Sequence, residues 1–353
     1  MTSKYTAITN ELELLLRRMR AEGKNKLPSE QELAAGYSCS RQTVRAALDV
    51  LVERGLIVKK NGSGSYLADD VSCNKQIYFI TEDADRYRTP ALIAGLRDEL
   101  DAAGYVLKVF ATGGCTGSER EVLDLALKEH PVAMITEPVH DLLPDPNQRL
   151  IEKSIASGIP VIFLNSSHVP SGCRYVAPEN VSSGRMLTNC LIKEGHRRIA
   201  CIFRMDSSSG TDGYQGYIDA LADAGMRFDE SRCLLLSYRD EKEILSGKCR
   251  LLQQFIASSL KDCDAVICQN GIIAYTLSGL LAKEGMAAPD DITVACFDGS
   301  YPYDLSARMI SLEYDNDLLC RKLANTAVTL ARGGAASDVV IPMGFALPQS
   351  VEF

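Results

Sequence analysis

Short apolar runs recur at nearly constant intervals through most of this chain. The runs QIYFI, YVLKVF, VAMIT and PVIFLN begin at residues 76, 105, 132 and 160, so consecutive starts lie 29, 27 and 28 residues apart. A second series follows, with RIACIF, CLLLS, AVICQ and ITVACFD beginning at residues 198, 233, 265 and 292. Buried strands that alternate with helix-length segments are typical of parallel sheets. The spacing therefore predicts that residues 76–353 form two α/β subdomains, each with a doubly wound parallel sheet.

The N-terminal segment carries three helix signals instead. Apolar residues at helical spacing predict a first helix over residues 5–22 that ends near Gly23: Leu12, Leu15, Leu16 and Met19. Ser29 and Glu32 form a capping box, which predicts the start of a second helix. Ser40 can cap a third helix, whose buried stripe would contain Val44, Ala47, Leu48 and Leu51.

The third helix turns a polar face away from this stripe. A short helix, a tight turn and a helix with such a face predict a helix-turn-helix, whose second helix suits a DNA major groove. The runs LIVKK and SYLA flank the turn NGSG and predict a β-hairpin, or wing, where Lys59 and Lys60 could contact phosphates. We predict a DNA-binding domain over residues 1–68, a linker over 69–75 and a ligand-binding domain over 76–353.

Charge is distributed unevenly between these parts. Residues 1–68 hold 11 Lys and Arg against 7 Asp and Glu, a charge of +4. Because the whole chain carries −8, the other 285 residues carry −12. A basic N-terminal domain on an acidic body is consistent with a nucleic-acid partner at the N-terminus alone.

The segment LPSEQELAAGYSCSRQTVRAALDVLVERGLIVKKNGSGSYL resembles the winged-helix domain of the GntR family of bacterial transcription regulators. That resemblance implies double-stranded operator DNA as a partner. It also implies DNA contacts from the recognition helix and the wing. Together with neighbours on the same surfaces, the expected DNA-binding residues are Ser40, Arg41, Gln42, Thr43, Arg45, Lys59, Lys60, Asn61 and Gly62. Many family members have Arg where this chain has Gln31, so one contact of the family is missing here.

Polar residues follow the apolar runs of the larger domain. Parallel sheets bind ligands at the carboxyl ends of their strands, so the residues that follow the runs are candidates for one cleft. They are Glu82, Asp83, Glu137, Asn165, Arg204, Asn270 and Asp298.

The series GIPVIFLNSS, EGHRRIACIF, DAVICQNGIIAYTLSGLLAKEGMAAPDDITVACFDGS and ISLEYDNDLLCRKLANTAV resembles the effector domain of LacI/GalR repressors, which has a periplasmic-binding-protein-like fold. A GntR-type winged helix joined to such a domain is the arrangement of AraR-type arabinose repressors. The resemblance implies that Asn270 and Asp298 bind sugar hydroxyls and places Glu137, Asn165 and Arg204 at matching strand ends. Gly213 stands where an arginine commonly grips the sugar, and Arg204 is our candidate replacement. Family members usually have acidic residues directly after the positions of Asn270 and Asp298, where this chain has Gly271 and Gly299.

Other function classes lack sequence support. The chain has no Cys-x-x-Cys, its four histidines are far apart, and its twelve cysteines are scattered, several within apolar runs, so we expect reduced thiols and no metal or cofactor. We find no nucleophile elbow, Walker loop or credible His/Asp pair, so no enzyme is expected. No signal peptide or spanning segment is apparent, so we expect a cytoplasmic protein without a membrane partner.

We predict a homodimeric, ligand-responsive repressor of carbohydrate-utilisation genes that a sugar-like effector releases from its operator. The alternative is a DNA-binding regulator that senses a non-sugar metabolite or no small molecule. The sequence does not distinguish induction from co-repression.

Overall fold

The computed structural model describes residues 4–21, 24–53, 56–60, 63–67, 75–298 and 309–346. Its N-terminal domain has three helices followed by an antiparallel hairpin: α1 (Lys4–Ala21), α2 (Glu30–Gly36), α3 (Arg41–Glu53), β1 (Ile57–Lys60) and β2 (Gly64–Leu67). The predicted stripe of α3 is buried against apolar side chains of α1 and α2. The winged helix-turn-helix prediction is therefore confirmed. Of the predicted linker, only Lys75 lies within the described residues.

The first lobe of the larger domain contains a six-stranded parallel sheet in the order β13-β7-β6-β5-β3-β4. Its strands are β3 (Gln76–Thr81), β4 (Val106–Ala111), β5 (Ala133–Thr136), β6 (Val161–Leu164), β7 (Arg174–Pro178) and, from far along the chain, β13 (Val339–Ile341). Helices α4 (Thr89–Ala102) and α12 (Asn316–Ala331) cover one face, and α5 (Thr116–Glu129) and α6 (Gln148–Ala156) cover the other.

The second lobe has a six-stranded sheet in the order β14-β12-β11-β10-β8-β9, parallel except for its terminal strand β14. The strands are β8 (Ile199–Arg204), β9 (Cys233–Leu236), β10 (Ala265–Cys268), β11 (Thr293–Phe297), β12 (Met309–Tyr314) and β14 (Met343–Phe345). One face packs on α7 (Asn180–Lys193) and α8 (Ser208–Asp223), and the other on α9 (Tyr238–Leu245), α10 (Arg250–Ser258) and α11 (Gly271–Lys283).

The chain passes between the lobes more than once. It leaves the first lobe after β7, returns from β12 to α12 and β13, and enters the second lobe again at β14. Residues at the carboxyl ends of parallel strands from both sheets line one cleft between the lobes, as the strand-end rule for parallel sheets predicts.

Cysteines occupy the buried strands as expected. Cys201, Cys268 and Cys296 lie within β8, β10 and β11 and are inaccessible to solvent. All eleven cysteines among the described residues are free thiols, and one of them, Cys115, is exposed. Within the same residues, no group of three or more His, Cys, Asp or Glu side chains could hold a metal ion. No described helix is both long and apolar enough to cross a membrane.

Candidate functional site

The start of α3 presents a polar surface that local hydrogen bonds hold in place. The Oγ of Ser29 accepts a bond from the amide of Glu32, whose carboxylate accepts one in return, so the expected capping box fixes the start of α2. The Oγ of Ser40 accepts a bond of 3.1 Å from the amide of Thr43, which caps α3. Arg41, Gln42 and Arg45 are then exposed on the first turns of α3.

The cations on this surface already have partners within the chain. Arg45 Nη2 lies 2.8 Å from Glu30 Oε2, and this hydrogen bond lowers the pKa of Glu30. Arg41 donates to the side-chain oxygen of Gln31. Gln31, which stands where many GntR relatives have arginine, thus orients an arginine instead of supplying one. Because these contacts are exposed, DNA can replace them at small cost.

The hairpin adds a second basic surface. Lys59 Nζ pairs with Asp49 Oδ1 at 2.6 Å, and Lys60 Nζ lies 5.0 Å from the centre of the Tyr66 ring. Tyr66, which we did not identify from the sequence, also has Lys26 at 5.7 Å. The predicted wing residues Asn61 and Gly62 lie outside the described residues.

A cavity of about 270 Å³ lies between the two lobes. All five predicted ligand-binding residues line it, each at or just after the carboxyl end of a strand: Glu137, Asn165, Arg204, Asn270 and Asp298. Glu82 and Asp83 line it as well. The structure thus brings together every predicted cleft residue, although their contact with a ligand stays a prediction.

On the first-lobe side, Glu137 forms the centre of a small polar group. Its carboxylate accepts hydrogen bonds from Thr81 Oγ1 and, at 2.8 Å, from Asn165 Nδ2. Burial raises the pKa of Glu137 even though both bonds act in the opposite direction. Asn165 has a left-handed backbone with φ of 61°, an uncommon conformation that is found more often at functional sites.

On the second-lobe side, the carboxylate of Glu241 connects three side chains. Glu241 is only 3% exposed and accepts from Arg204 Nη1 at 3.1 Å, Asn270 Nδ2 at 2.8 Å and Arg86 Nη2 at 2.8 Å. Burial acts to raise the pKa of Glu241, but the two arginines outweigh it and leave the pKa below its ordinary value. Asn270 also caps α11, since its Oδ1 accepts from the amide of Ile273.

Asp298 is engaged from the opposite lobe. Arg88 Nη1 pairs with Asp298 Oδ1, and the Arg88 guanidinium lies 4.1 Å from the centre of the Tyr314 ring. The Tyr87 hydroxyl donates to the backbone oxygen of Asp298 at 3.4 Å. Burial raises the pKa of Asp298 to about 6 against the opposing effect of Arg88. Asp298 also has a left-handed backbone, with φ of 57°.

Further contacts join the lobes at the edge of the cleft. Asp141 Oδ2 of the first lobe accepts bonds of 2.9 and 2.6 Å from the amide and hydroxyl of Ser208, at the start of α8. A carboxylate is stabilised at a helix N-terminus by the helix dipole. Lys242 donates to the backbone oxygen of Gly113 at 3.2 Å.

Several residues of this cleft were not predicted from the sequence. Arg86 and Arg88 occupy the loop after β3, from which we selected only Glu82 and Asp83; the same strand-end rule would have included both arginines. Glu241 belongs to α9 and Tyr314 ends a strand that we did not predict. No sequence spacing indicated either of them.

Gly213 lies behind the cavity wall. A Cβ at this position would come within 2.9 Å of the Phe203 ring and 3.2 Å of the Phe297 ring. Both rings line the cavity. Aromatic side chains therefore fill the space toward which a residue at position 213 would point, and the arginine groups of this cleft come from Arg86, Arg88 and Arg204 instead.

Comparison with known proteins agrees with this architecture. Residues 4–67 match the gntR family of bacterial regulatory proteins, and residues 82–304 match the periplasmic binding proteins and sugar binding domain of the LacI family. The arabinose metabolism transcriptional repressor of Halalkalibacterium halodurans is 25% identical over 309 residues, which cover 85% of this chain and 82% of the repressor. The repressor of the same name from Geobacillus stearothermophilus is 27% identical over 300 residues, covering 84% and 82%.

A solved structure shares the fold. The complex of the transcriptional regulator CelR with cellobiose has a TM-score of 0.66 at 19% identity and covers 92% of this chain and 100% of its own. The chain belongs to the family of periplasmic binding proteins and LacI-type sugar binding domains, and a gntR-family DNA-binding domain precedes that ligand domain.

Proposed function

We propose that this protein is a transcription regulator that represses carbohydrate-utilisation genes and leaves its operator when a sugar or sugar derivative binds in the cleft. One observation carries the proposal: a winged helix with an exposed, arginine-bearing recognition surface precedes a two-lobed domain whose interlobe cavity contains carboxylates, amides and aromatic rings. Carboxylate and amide groups hydrogen-bond sugar hydroxyls, while aromatic rings pack on the C–H faces of sugars. Two relatives that cover most of the chain are named as arabinose repressors.

DNA recognition is assigned to two surfaces. Ser40, Arg41, Gln42, Thr43 and Arg45 on α3 contact base edges and phosphates in the major groove. Lys59 and Lys60, with Asn61 and Gly62 between the hairpin strands, contact the sugar-phosphate backbone. Two copies of the chain, paired through their larger domains, place two such surfaces on the half-sites of a palindromic operator.

Ligand recognition is assigned to Glu137, Asn165, Arg204, Asn270 and Asp298. A ligand held between the lobes changes their relative position, and the lobes carry the DNA-binding domains. The ligand weakens operator binding only to the extent that it prefers one arrangement of the lobes over another. No enzymatic step is required for this response, and a DNA-binding regulator of this kind acts in the bacterial cytoplasm.

The test combines DNA binding with ligand binding. Operators are selected from a pool of random duplexes, and fluorescence anisotropy then follows the complex during titration with pentoses, hexoses, disaccharides and sugar phosphates. A parallel thermal-shift screen measures binding to the protein directly. We expect at least one sugar to stabilise the protein and to release the operator over the same concentration range.

Two results would redirect the proposal. If the operator complex forms but no carbohydrate affects either signal, the regulator responds to a non-sugar metabolite or to none. If a sugar stabilises the protein and tightens the operator complex, the ligand is a co-repressor.

A further inference from the structure

The loop between β3 and α4 crosses the cleft and engages the opposite lobe. Arg86 Nη2 lies 2.8 Å from Glu241 Oε1, and Arg88 Nη1 pairs with Asp298 Oδ1. Between them, the Tyr87 hydroxyl donates to the backbone oxygen of Asp298. Tyr87 itself has a left-handed backbone with φ of 37°, a conformation that a bulky residue adopts only where its surroundings enforce it. These contacts hold the loop in a defined position across the cleft.

Arg88 covers two groups that a sugar would use. Its guanidinium engages the Asp298 carboxylate, which can accept bonds from ligand hydroxyls, and lies 4.1 Å from the centre of the Tyr314 ring, which can pack on a sugar face. The Arg88 side chain is only 17% exposed, so it lies within the site and not at its rim. A guanidinium that combines an ion pair with a cation–π contact in a partly buried site is firmly held.

Two other polar groups of the cavity are available to hydrogen-bond a ligand. The carboxylate of Glu137 faces it with only neutral hydrogen-bond donors as direct partners among the described residues. Ser166 is 1% exposed and lines the same cavity, and its hydroxyl has no hydrogen-bond partner within the described part of the chain. A buried hydroxyl without a partner is costly unless another molecule satisfies it.

We propose that Arg88 is an intramolecular competitor of the effector, so that a sugar gains Asp298 and the Tyr314 ring only by displacing the Arg88 guanidinium. This inference rests on the proposed function, in which the cleft binds a sugar. Arg88 then sets the selectivity of the site. A ligand must present both hydroxyl donors and a flat C–H face to replace what the guanidinium supplied, and a ligand that offers only one of them is rejected.

The sign of a mutational effect distinguishes a competitor from an ordinary contact. Removal of a contact residue weakens ligand binding. Removal of a competitor strengthens it, because the ligand no longer has to displace a side chain before it binds. Arg88→Met keeps much of the length of the side chain and removes its charge. We expect it to bind a sugar about tenfold more tightly than the wild type.

Arg86→Met is the matched comparison. It removes the other interlobe ion pair of the same loop, but Arg86 covers no aromatic ring among the described residues and does not touch Asp298. The substitution should therefore weaken the contact between the two lobes without freeing Asp298 or the Tyr314 ring for the ligand. Sugar affinity should fall as a result. Opposite signs for two neighbouring arginines would not follow from a general loosening of the loop.

The experiment is isothermal titration of wild type, Arg88→Met and Arg86→Met with L-arabinose, D-xylose, D-glucose and cellobiose. Circular dichroism and operator binding verify that each variant is folded. A second measurement needs no sugar: millimolar methylguanidinium should raise the melting temperature of Arg88→Ala, by refilling the place of the side chain, and should leave the wild type unaffected.

The outcomes separate the two proposals. Tighter sugar binding by Arg88→Met and rescue of Arg88→Ala support the competitor. If a sugar releases the wild-type operator complex but binds Arg88→Met more weakly, Arg88 is an ordinary contact and only this inference fails. If no sugar acts on wild type or variants, the proposed carbohydrate response fails and this inference fails with it.

Discussion

The substitution Glu241→Gln tests how the charged groups of the cleft contribute to stability. Glu241 is 3% exposed, and its carboxylate accepts from Arg86, Arg204 and Asn270 at 2.8, 3.1 and 2.8 Å. Glutamine retains the size of the side chain and one acceptor oxygen but removes the charge. The two guanidiniums are then left without the carboxylate that they share.

The loss of unfolding free energy depends on the ion pairs that Arg86 and Arg204 retain in the variant. Removing one partner of a fully buried ion pair costs about 3–5 kcal/mol. Here Arg86 retains Glu82 at 3.1 Å and Arg204 retains Asp206 at 3.1 Å, and both arginine side chains remain partly exposed, at 24% and 21%. Because this residual pairing and solvation reduce the loss, we expect a decrease of about 2–3 kcal/mol in the free energy of unfolding at pH 7.

The pH dependence gives a second constraint. The pKa of Glu241 is lower in the folded protein than in the unfolded chain, since the effect of Arg86 and Arg204 exceeds that of burial. A carboxylate with a lowered pKa stabilises the fold above its unfolded pKa of about 4.3 and loses that contribution as the pH falls through the folded pKa. The difference between wild type and Glu241→Gln should therefore be complete at pH 7 and should shrink below about pH 4.

Urea unfolding followed by circular dichroism measures this difference, because the chain has no tryptophan. Glu243→Gln, on the same helix but exposed, is the matched control and should change stability by less than about 0.5 kcal/mol. An unchanged unfolding free energy for Glu241→Gln at pH 7, or a difference that grows on acidification, would refute the reasoning.

Four further predictions concern the separate surfaces. Arg41→Ala or Arg45→Ala should cost about 1–3 kcal/mol of operator affinity for each hydrogen bond to a base edge that the substitution removes, with the fold intact by circular dichroism; wild-type affinity in both variants would contradict the role of α3. Lys60→Ala should weaken binding to all duplexes alike and lower the salt dependence by about one ion, so a weakening confined to one sequence would argue against a phosphate contact. Asp298→Ala should abolish thermal stabilisation by the effector and preserve operator binding, and a calorimetric affinity equal to wild type would exclude it from the site. Ser29→Ala removes a cap that the structure contains and should destabilise the N-terminal domain by about 1 kcal/mol, whereas an unchanged denaturation midpoint would show that the cap contributes nothing.

Hydrophobic periodicity was sufficient to predict most of the two sheets. The predicted apolar runs became β3 to β6 and β8 to β11. Six of these strands are buried along almost their whole length and so read as continuous apolar segments, whereas the edge strands β4 and β9 have one buried residue each. Among the strands that we did not predict, β13 and β14 have only three residues each, and most residues of β7 and β12 are only partly buried. Strand β13 pairs with β7 from 163 residues away, where Val339 lies opposite Val176, and nothing local indicates that pairing.

The sequence was sufficient to predict which residues of each lobe line the cleft. Glu137, Asn165, Arg204, Asn270 and Asp298 each follow from the rule that ligands bind at the carboxyl ends of parallel strands. What could not be predicted is how groups meet across the cleft. The Arg88–Asp298 ion pair joins residues 210 positions apart on different lobes, so it depends on the relative placement of two separately folded sheets.

The return of the chain to its first lobe has a consequence for the order of folding during synthesis. Strand β7 ends at Pro178, but α12, which covers one face of the same sheet, and β13, which completes its edge, come only after residue 315. At about 5–20 residues per second, the ribosome needs roughly 10–30 s to make the intervening chain. During that interval α4 is the only one of the two helices of this face that has been made, so the part of the face that later receives Leu319, Leu323 and Ala327 lacks its native partner. Strands β8 to β11 of the second lobe emerge meanwhile. The lobe that begins first in the nascent chain is therefore completed only after the central strands of the other lobe have been synthesised.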